Sequence, residues 1–258
     1  LSRPPDPRPL QVLVAGCGTG KHAVDVATRF ADAKVLAVDL SRRSLGYAQA
    51  QAERLHDPRL AKDRLRFAEA DILALGSLQD RFDHIEAMGV LHHLTDPLAG
   101  WQVLCHLLKP DGTMRIGLYS RHGRAAIQAA QRIAEDFARD ARGLRSLRQA
   151  ILALPSDHPA APVRKELDFY TLNGVRDALA HAQEHDFTLP EIGALLERLG
   201  LRFLGFELAT AEPRRLFEKA FGPDHRQNDL NAWDRLEQQH PSLFHHMYQF
   251  WCERLDRA

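Results

Sequence analysis

The sequence has little cysteine, no excess of either charge and no long apolar run. Cys17, Cys105 and Cys252 are the three cysteines in 258 residues. They are too few and too scattered for a disulfide framework or a cysteine zinc site, so a reducing, cytoplasmic compartment is expected. With 34 Lys+Arg against 34 Asp+Glu the formal net charge is zero, and nothing in that total predicts a grip on a long polyanion; no DNA partner is expected. No apolar stretch approaches the roughly 20 residues of a membrane span, and no signal-peptide pattern is present. An initiator Met is also missing: the chain starts Leu1-Ser2-Arg3, which reads as a piece of a longer protein. Ordinary globular composition, 45% hydrophobic and 26% charged, excludes disorder, collagen-like structure and a coiled-coil rod.

What is present is a rhythm. Residues 1–10 hold Pro4, Pro5, Pro7 and Pro9, which cannot be helical and read as a linker. Gln11 to Ala15 is a short apolar run closed by Gly16-Cys17-Gly18-Thr19-Gly20, and Lys21 to Phe30 then spaces apolar residues at helical intervals. Strands are predicted at Lys34 to Asp39, Arg64 to Ala70, Phe82 to Met88 and Thr113 to Tyr119, with helices at Arg42 to Leu55 and Pro97 to Leu108. That alternation predicts an α/β fold, a doubly wound and mainly parallel Rossmann-like sheet with helices on both faces. From Ser120 the pattern turns helical (Arg121 to Ala141, Leu144 to Leu154, Asn173 to Gln183), with a proline-rich break at 155–162. A helix at Leu189 to Leu199 and a strand at Leu201 to Leu208 follow. Beyond them Phe244, Tyr248 and Trp251, at i, i+4 and i+7, predict a helical C-terminal tail.

Glycines 16, 18 and 20, between a strand and a helix, let backbone approach a ligand closely. Their G-x-G-x-G spacing differs from the G-x-G-x-x-G that seats a dinucleotide pyrophosphate. Asp39 ends the next strand, where a carboxylate can accept both hydroxyls of a ribose. It equally suits a cap for the following helix, with Ser41 close by, just as Asp71 suits a turn.

The strings VLVAGCGTG (12–20), AVDLSRRSLGYAQ (37–49), AEADILAL (68–75), FDHIEAMGVLHHLTDP (82–97) and LLKPDGTMRIGLYS (107–120), in that order, resemble the class I S-adenosylmethionine-dependent methyltransferases of small-molecule type, and 188–208 resembles the late helix and strand of that fold. The resemblance implies S-adenosyl-L-methionine as cofactor and S-adenosyl-L-homocysteine as product. It places the backbone of Gly16, Cys17, Gly18 and Gly20 at the methionine part, Asp39 on the ribose, Leu40 and Ile72 against the adenine, Asp71 on its amino group, and Gly89 and Val90 at the sulfonium. The family commonly carries an acid two positions before the first glycine, where this chain has Val14. It implies residues 11–119 as cofactor-binding core, 120–187 as a helical cap over the acceptor, 188–208 as a return to the core and 209–258 as tail. The cap and C-terminal half, with RDALAHAQEHDFTLPEIGALLERLGLRFLGFE, also resemble methyltransferase domains at the C-terminus of bacterial tetratricopeptide-repeat proteins, implying an upstream repeat domain.

Methyl transfer needs alignment, exclusion of water and at most one general base. His92, His93 and Tyr119 lie at the carboxyl edge of the sheet, and with His185 they are the candidate catalytic residues. Tyr170, Arg176, His181 and Glu184 are the candidate acceptor-binding residues of the cap. His181 to His185 also fits H-x-x-E-H, a zinc-peptidase spacing, but no third ligand is identifiable and no metal is expected. Residues 86–89 read Glu-Ala-Met-Gly and lack the Asn/Asp-Pro-Pro-Tyr of amino-nucleobase methylation. An O or N acceptor on a small metabolite or a peptide side chain is expected; the alternatives are an inert cofactor-binding module and, further off, an NAD-dependent oxidoreductase.

Overall fold

The computed structural model describes residues 8–30, 32–79, 81–180 and 184–255. β1 (Gln11–Ala15), β2 (Lys34–Asp39), β3 (Leu65–Glu69), β4 (Phe82–Met88), β5 (Leu108–Tyr119), β6 (Leu201–Phe206) and β7 (Met247–Arg254) form one sheet in the order β3-β2-β1-β4-β5-β7-β6. The first five pair in parallel, and β7 enters antiparallel between β5 and β6. Val12, Leu13, Val14 and Ala15 are all buried, the near-continuous apolar run that a strand covered on both faces requires.

On one face α1 (Lys21–Arg29) and α2 (Arg42–Arg54) pack Ala23, Val26 and Leu45 against Val12, Val14 and Val35. On the other, α3 (Pro97–Leu107) buries Trp101 and Leu104 with Leu13 and Ile85. The helices start where their sequence supplies acceptors for unpaired amides: Ser41 for α2, Asp96 followed by Pro97 for α3.

The cap has a core of its own. α4 (Ala125–Ala134), α5 (Ala141–Leu152) and α6 (Leu172–Leu179) enclose Ile127, Leu144, Leu147, Ile151 and Val175. The single helix expected over 121–141 is broken, because the Asp140 carboxylate accepts the Gly143 N–H at 2.7 Å and starts a new helix there. The proline-rich break forms two short 3₁₀ turns, Ala161–Lys165 and Leu167–Tyr170. α6 ends at Leu179, earlier than expected, and Glu184–Asp186 is not helical. α7 (Leu189–Leu199) opens with a reciprocal capping box between Thr188 and Glu191 and closes at Gly200 in the left-handed conformation.

The tail corrects the sequence expectation. α8 (Glu212–Phe221) and α9 (Leu230–Gln239) are helices, but Met247–Arg254 is β7. In it Tyr248, Phe250 and Cys252 are buried and alternate with less buried neighbours, a period of two. The helical stripe was a coincidence of spacing. Phe244 precedes the strand, and Trp251 points to the face opposite Tyr248, where it stacks on His84 with ring centroids 5.1 Å apart.

Candidate active site

The parallel strands end at one edge, and the site builds outward from the turn after β1. Gly16 has φ +74°, and a Cβ there would stand 2.3 Å from Val90 Cγ2; at Gly20, φ +87°, it would stand 2.4 Å from Ala48 Cβ. Only glycine allows both the conformation and the approach. The Gly16 and Cys17 N–H groups donate to Val38 O at 2.8 and 2.9 Å, so these two amides tie the turn to β2. Gly18 faces open space. Its N–H donates to Asp39 Oδ2 at 2.7 Å, while the Ser41 N–H donates to Asp39 Oδ1 at 2.9 Å. Asp39 thus braces the turn and the start of α2, and each of its oxygens retains a lone pair.

Cys17 turns its thiol into the core beneath α1, where burial, with the Asp39 charge added, pushes it up to about 12. It is a packing residue with no reactive thiolate near neutral pH. Leu40, 64% exposed, lies at the open edge beside Asp39. Asp71 caps a 3₁₀ turn, Ile72–Ser77, by accepting the Leu73 N–H at 2.9 Å, and Ile72 is buried behind it. Gly89 leaves β4 with φ +71°, and Val90 closes against Gly16.

Val14, the apolar residue where an acid is common, pairs in register with Glu86 on β4. In-register residues of adjacent strands share a face, so a carboxylate stands one strand away from the expected place. Glu86 is fully buried and is contacted by His22 Nε2 at 2.7 Å, Arg29 Nη1 at 3.0 Å, His84 Nε2 at 3.3 Å and Arg115 Nη1 at 3.2 Å. Burial pushes its carboxyl upward, but hydrogen bonds and charge from His22 and His84 outweigh this and hold it well below the usual range. Sequence reading missed this cluster, because its members come from three elements, α1, β4 and β5.

At the edge of β4 and β5 the rings of His92, His93 and Tyr119 meet. His92 has no exposed surface and stacks on Tyr119 with centroids 3.6 Å apart; His93 meets both rings edge-on. The segment 184–188 closes on this group: His185 N–H donates to His92 O at 2.8 Å and Phe187 N–H to Tyr119 O at 2.9 Å. The Arg124 guanidinium lies 3.6 Å from the Tyr119 ring centroid and pairs with Glu184, which also accepts Gln131 Nε2 at 2.8 Å. Burial raises the Tyr119 hydroxyl above its ordinary value, with Arg124 opposing and Glu184 and Asp177 adding to the rise. Tyr119 is therefore a hydrogen-bond donor at neutral pH rather than a base.

Four predicted residues of the catalytic group and Glu184 are thus brought together, with Arg124 as a partner that the arginine-rich sequence concealed. Tyr170 and Arg176 are not among them. Tyr170 is 57% exposed, donates its hydroxyl to Arg164 O at 2.9 Å and belongs to the cap's outer wall; Arg176 is exposed on α6. His181 lies outside the described residues. The H-x-x-E-H spacing needs a helix through Glu184 and His185, and that segment is not helical. Arg124→Lys is expected to keep the charge while losing the planar stack, lowering stability by about 0.5–2 kcal/mol; thermal melting measures it.

Residues 12–112 match the family model of a methyltransferase domain. This match supports a class I S-adenosylmethionine-dependent methyltransferase core over those residues. The chain is 30% identical to an uncharacterized protein of Synechococcus sp. over 95% of this chain and 60% of that protein. It is 29% identical to a trans-aconitate 2-methyltransferase of Deinococcus radiodurans over 72% of this chain and 66% of the relative. Its fold matches PKMT2 from Rickettsia typhi in complex with AdoHcy, with a TM-score of 0.69 at 16% identity, covering 99% of this chain and 50% of that one. The chain therefore spans about half to two thirds of the length of these relatives. No helix among the described residues is long and apolar enough to cross a membrane. The residues fit the methyltransferase cofactor. Asp39 keeps a lone pair on each oxygen, Leu40 offers an uncovered apolar face, and the turn is open at Gly18.

Proposed function

We propose that this chain transfers a methyl group from S-adenosylmethionine to an O or N acceptor on a small metabolite or a peptide side chain, releasing S-adenosylhomocysteine. The observation that carries this reading is the open glycine turn braced by Asp39 at the sheet edge where Gly89 and the His92, Tyr119, His185 group converge. When bound, the cofactor supplies a methyl on a sulfonium, an electrophile with a neutral leaving group. The chain's part is to hold and exclude. Asp39 would bind the ribose, Leu40 and Ile72 the adenine ring, and Asp71 its amino group. Val90 and Gly89 would line the sulfonium. The stack of His92, Tyr119 and Arg124, closed by segment 184–188, would shut water out of the edge and orient the acceptor.

His92, enclosed beneath Tyr119, is better placed to position that ring than to take a proton from an acceptor; His185 and His93, both partly exposed, are the candidates for the base. From the sparse cysteines the reading extends to a cytoplasmic protein, and from the resemblance of the cap and C-terminal half to a tetratricopeptide-repeat domain upstream. Calorimetry with S-adenosylhomocysteine and NAD, followed by methyl transfer to mixed acceptor pools, tests the reading. S-adenosylhomocysteine binding and methylated product are expected. Binding without product would favour an inert module, and NAD binding alone an oxidoreductase.

A further inference from the structure

A cavity of about 480 Å³ opens beside this site, within the size range of small-molecule pockets. It lies past the end of β6 and at the start of β7, so it stands at the same sheet edge as Gly89 and Tyr119. Its polar wall includes Glu207, Glu212, His240, His245 and Gln249, and its apolar wall includes Phe244. Among the described residues no lysine or arginine lines it. His245 is held with φ +52°, a conformation that non-glycine residues seldom take and that the surrounding structure must enforce.

Met247 joins the cavity to the site. It lines the cavity and pairs with Tyr119 across β5 and β7. Its Cε would be 3.6 Å from a Cβ on Gly89, and its Sδ 3.0 Å from a Cβ on Gly117. One flexible, unbranched side chain thus stands between the glycine assigned to the sulfonium and the carboxylate-lined space.

The geometry points to this cavity as the seat of an amine-bearing acceptor that reaches the methyl past Met247; this rests on the methyltransferase reading above and names its substrate class. A wall carboxylate with no lysine or arginine partner attracts a protonated amine and repels an anion. A polycarboxylate of the trans-aconitate kind would meet Glu212, to which no lysine or arginine of the lining answers. Glu207 is already paired with Arg115 at 3.0 Å and bonded by Trp251 Nε1 at 3.0 Å, which leaves Glu212 as the freer charge for the ligand. In the reaction the ammonium first gives a proton to a wall carboxylate, histidine or water. The nitrogen lone pair then forms the bond to the methyl carbon, and the carbon–sulfur pair stays on sulfur as a neutral thioether. The methylated nitrogen is left cationic.

The three methionines, Met88, Met114 and Met247, make the test direct, because each gives one methyl signal in a ¹³C-methyl-labelled chain. Met114 is fully buried in the core and serves as the internal reference. With S-adenosylhomocysteine present, titration with butylamine is expected to shift the Met247 signal and leave Met114 in place, whereas butyrate and butanol at equal concentration do not. Glu212→Gln should weaken butylamine binding at least fivefold while S-adenosylhomocysteine affinity stays unchanged. Tighter binding of butyrate or butanol than of butylamine, or equal amine affinity in Glu212→Gln, would overturn the assignment. Failure of S-adenosylhomocysteine to bind would overturn the methyltransferase reading and leave the amine titration to be judged alone. Parallel reactions with free amines and with Nα-acetyl-lysine amide separate a metabolite from a protein side chain as the amine's source, and methylation of oxygen only would refute both.

Discussion

Glu86→Ala is expected to cost about 3–5 kcal/mol, the range for breaking a buried charge cluster by removing its common partner. The four groups that meet at this carboxylate, from His22, Arg29, His84 and Arg115, would be left facing one another around a void. Chemical denaturation measures the loss, and a change below about 1 kcal/mol would show that the cluster is solvated in solution. Glu86→Gln, which keeps the shape and loses the charge, should fall between.

The pH dependence follows from the sign of the shift. A carboxyl held below its ordinary value in the folded state contributes stability that is full above the unfolded value of 4.5 and drains away as pH falls below it. The wild type should therefore lose stability steeply between about pH 4.5 and the folded value, and Glu86→Gln should flatten that limb. Because Val14 and Glu86 are register partners and His22 sits in the first turn of α1, the same cluster anchors the helix that opens at the glycine turn. Loss of the anchor should weaken S-adenosylhomocysteine binding as well.

Asp39→Ala has the largest expected effect on the cofactor. It removes charge-assisted hydrogen bonds to the ribose worth about 1.5–3 kcal/mol, or roughly 10- to 150-fold in affinity. It also strips the Gly18 and Ser41 N–H groups of their acceptor, so part of the loss comes from the turn itself. Asp39→Asn separates the two contributions, since its amide oxygen can still accept the Gly18 N–H. If calorimetry shows affinity falling in Ala and largely kept in Asn, bracing dominates; an equal fall in both means that the charge on the ribose does. Unchanged affinity in both would show that the cofactor lies elsewhere.

The elements around this site differ in how far their own residues announce them. β1, the turn and α1 are contiguous, and an apolar run, three glycines and an amphipathic stretch carry the information locally. β2 and Asp39 follow for the same reason. β7 does not, because Phe244, Tyr248 and Trp251 satisfy a helical period as well as the strand period of Tyr248, Phe250 and Cys252. The choice between them is made by the open edge of β5, 128 to 140 residues away in sequence for the pairs formed, a contact no local pattern reports. The cap behaves likewise. Its arginines look alike as a string, yet only Arg124 is buried, because only it meets Tyr119 and Glu184 together.

The sequence by itself determined the class of fold, the glycine turn and the position of Asp39, since each depends on backbone conformation and on neighbours within a strand or helix. Tertiary structure alone decided where the acidic charge missing at Val14 would stand, which cap residues would reach Tyr119, and that a cavity lined by Glu207 and Glu212 would open beside Met247. Those features are sums over side chains from distant segments. Their energies exist only once the sheet order brings β4, β5, β7 and the cap to one edge.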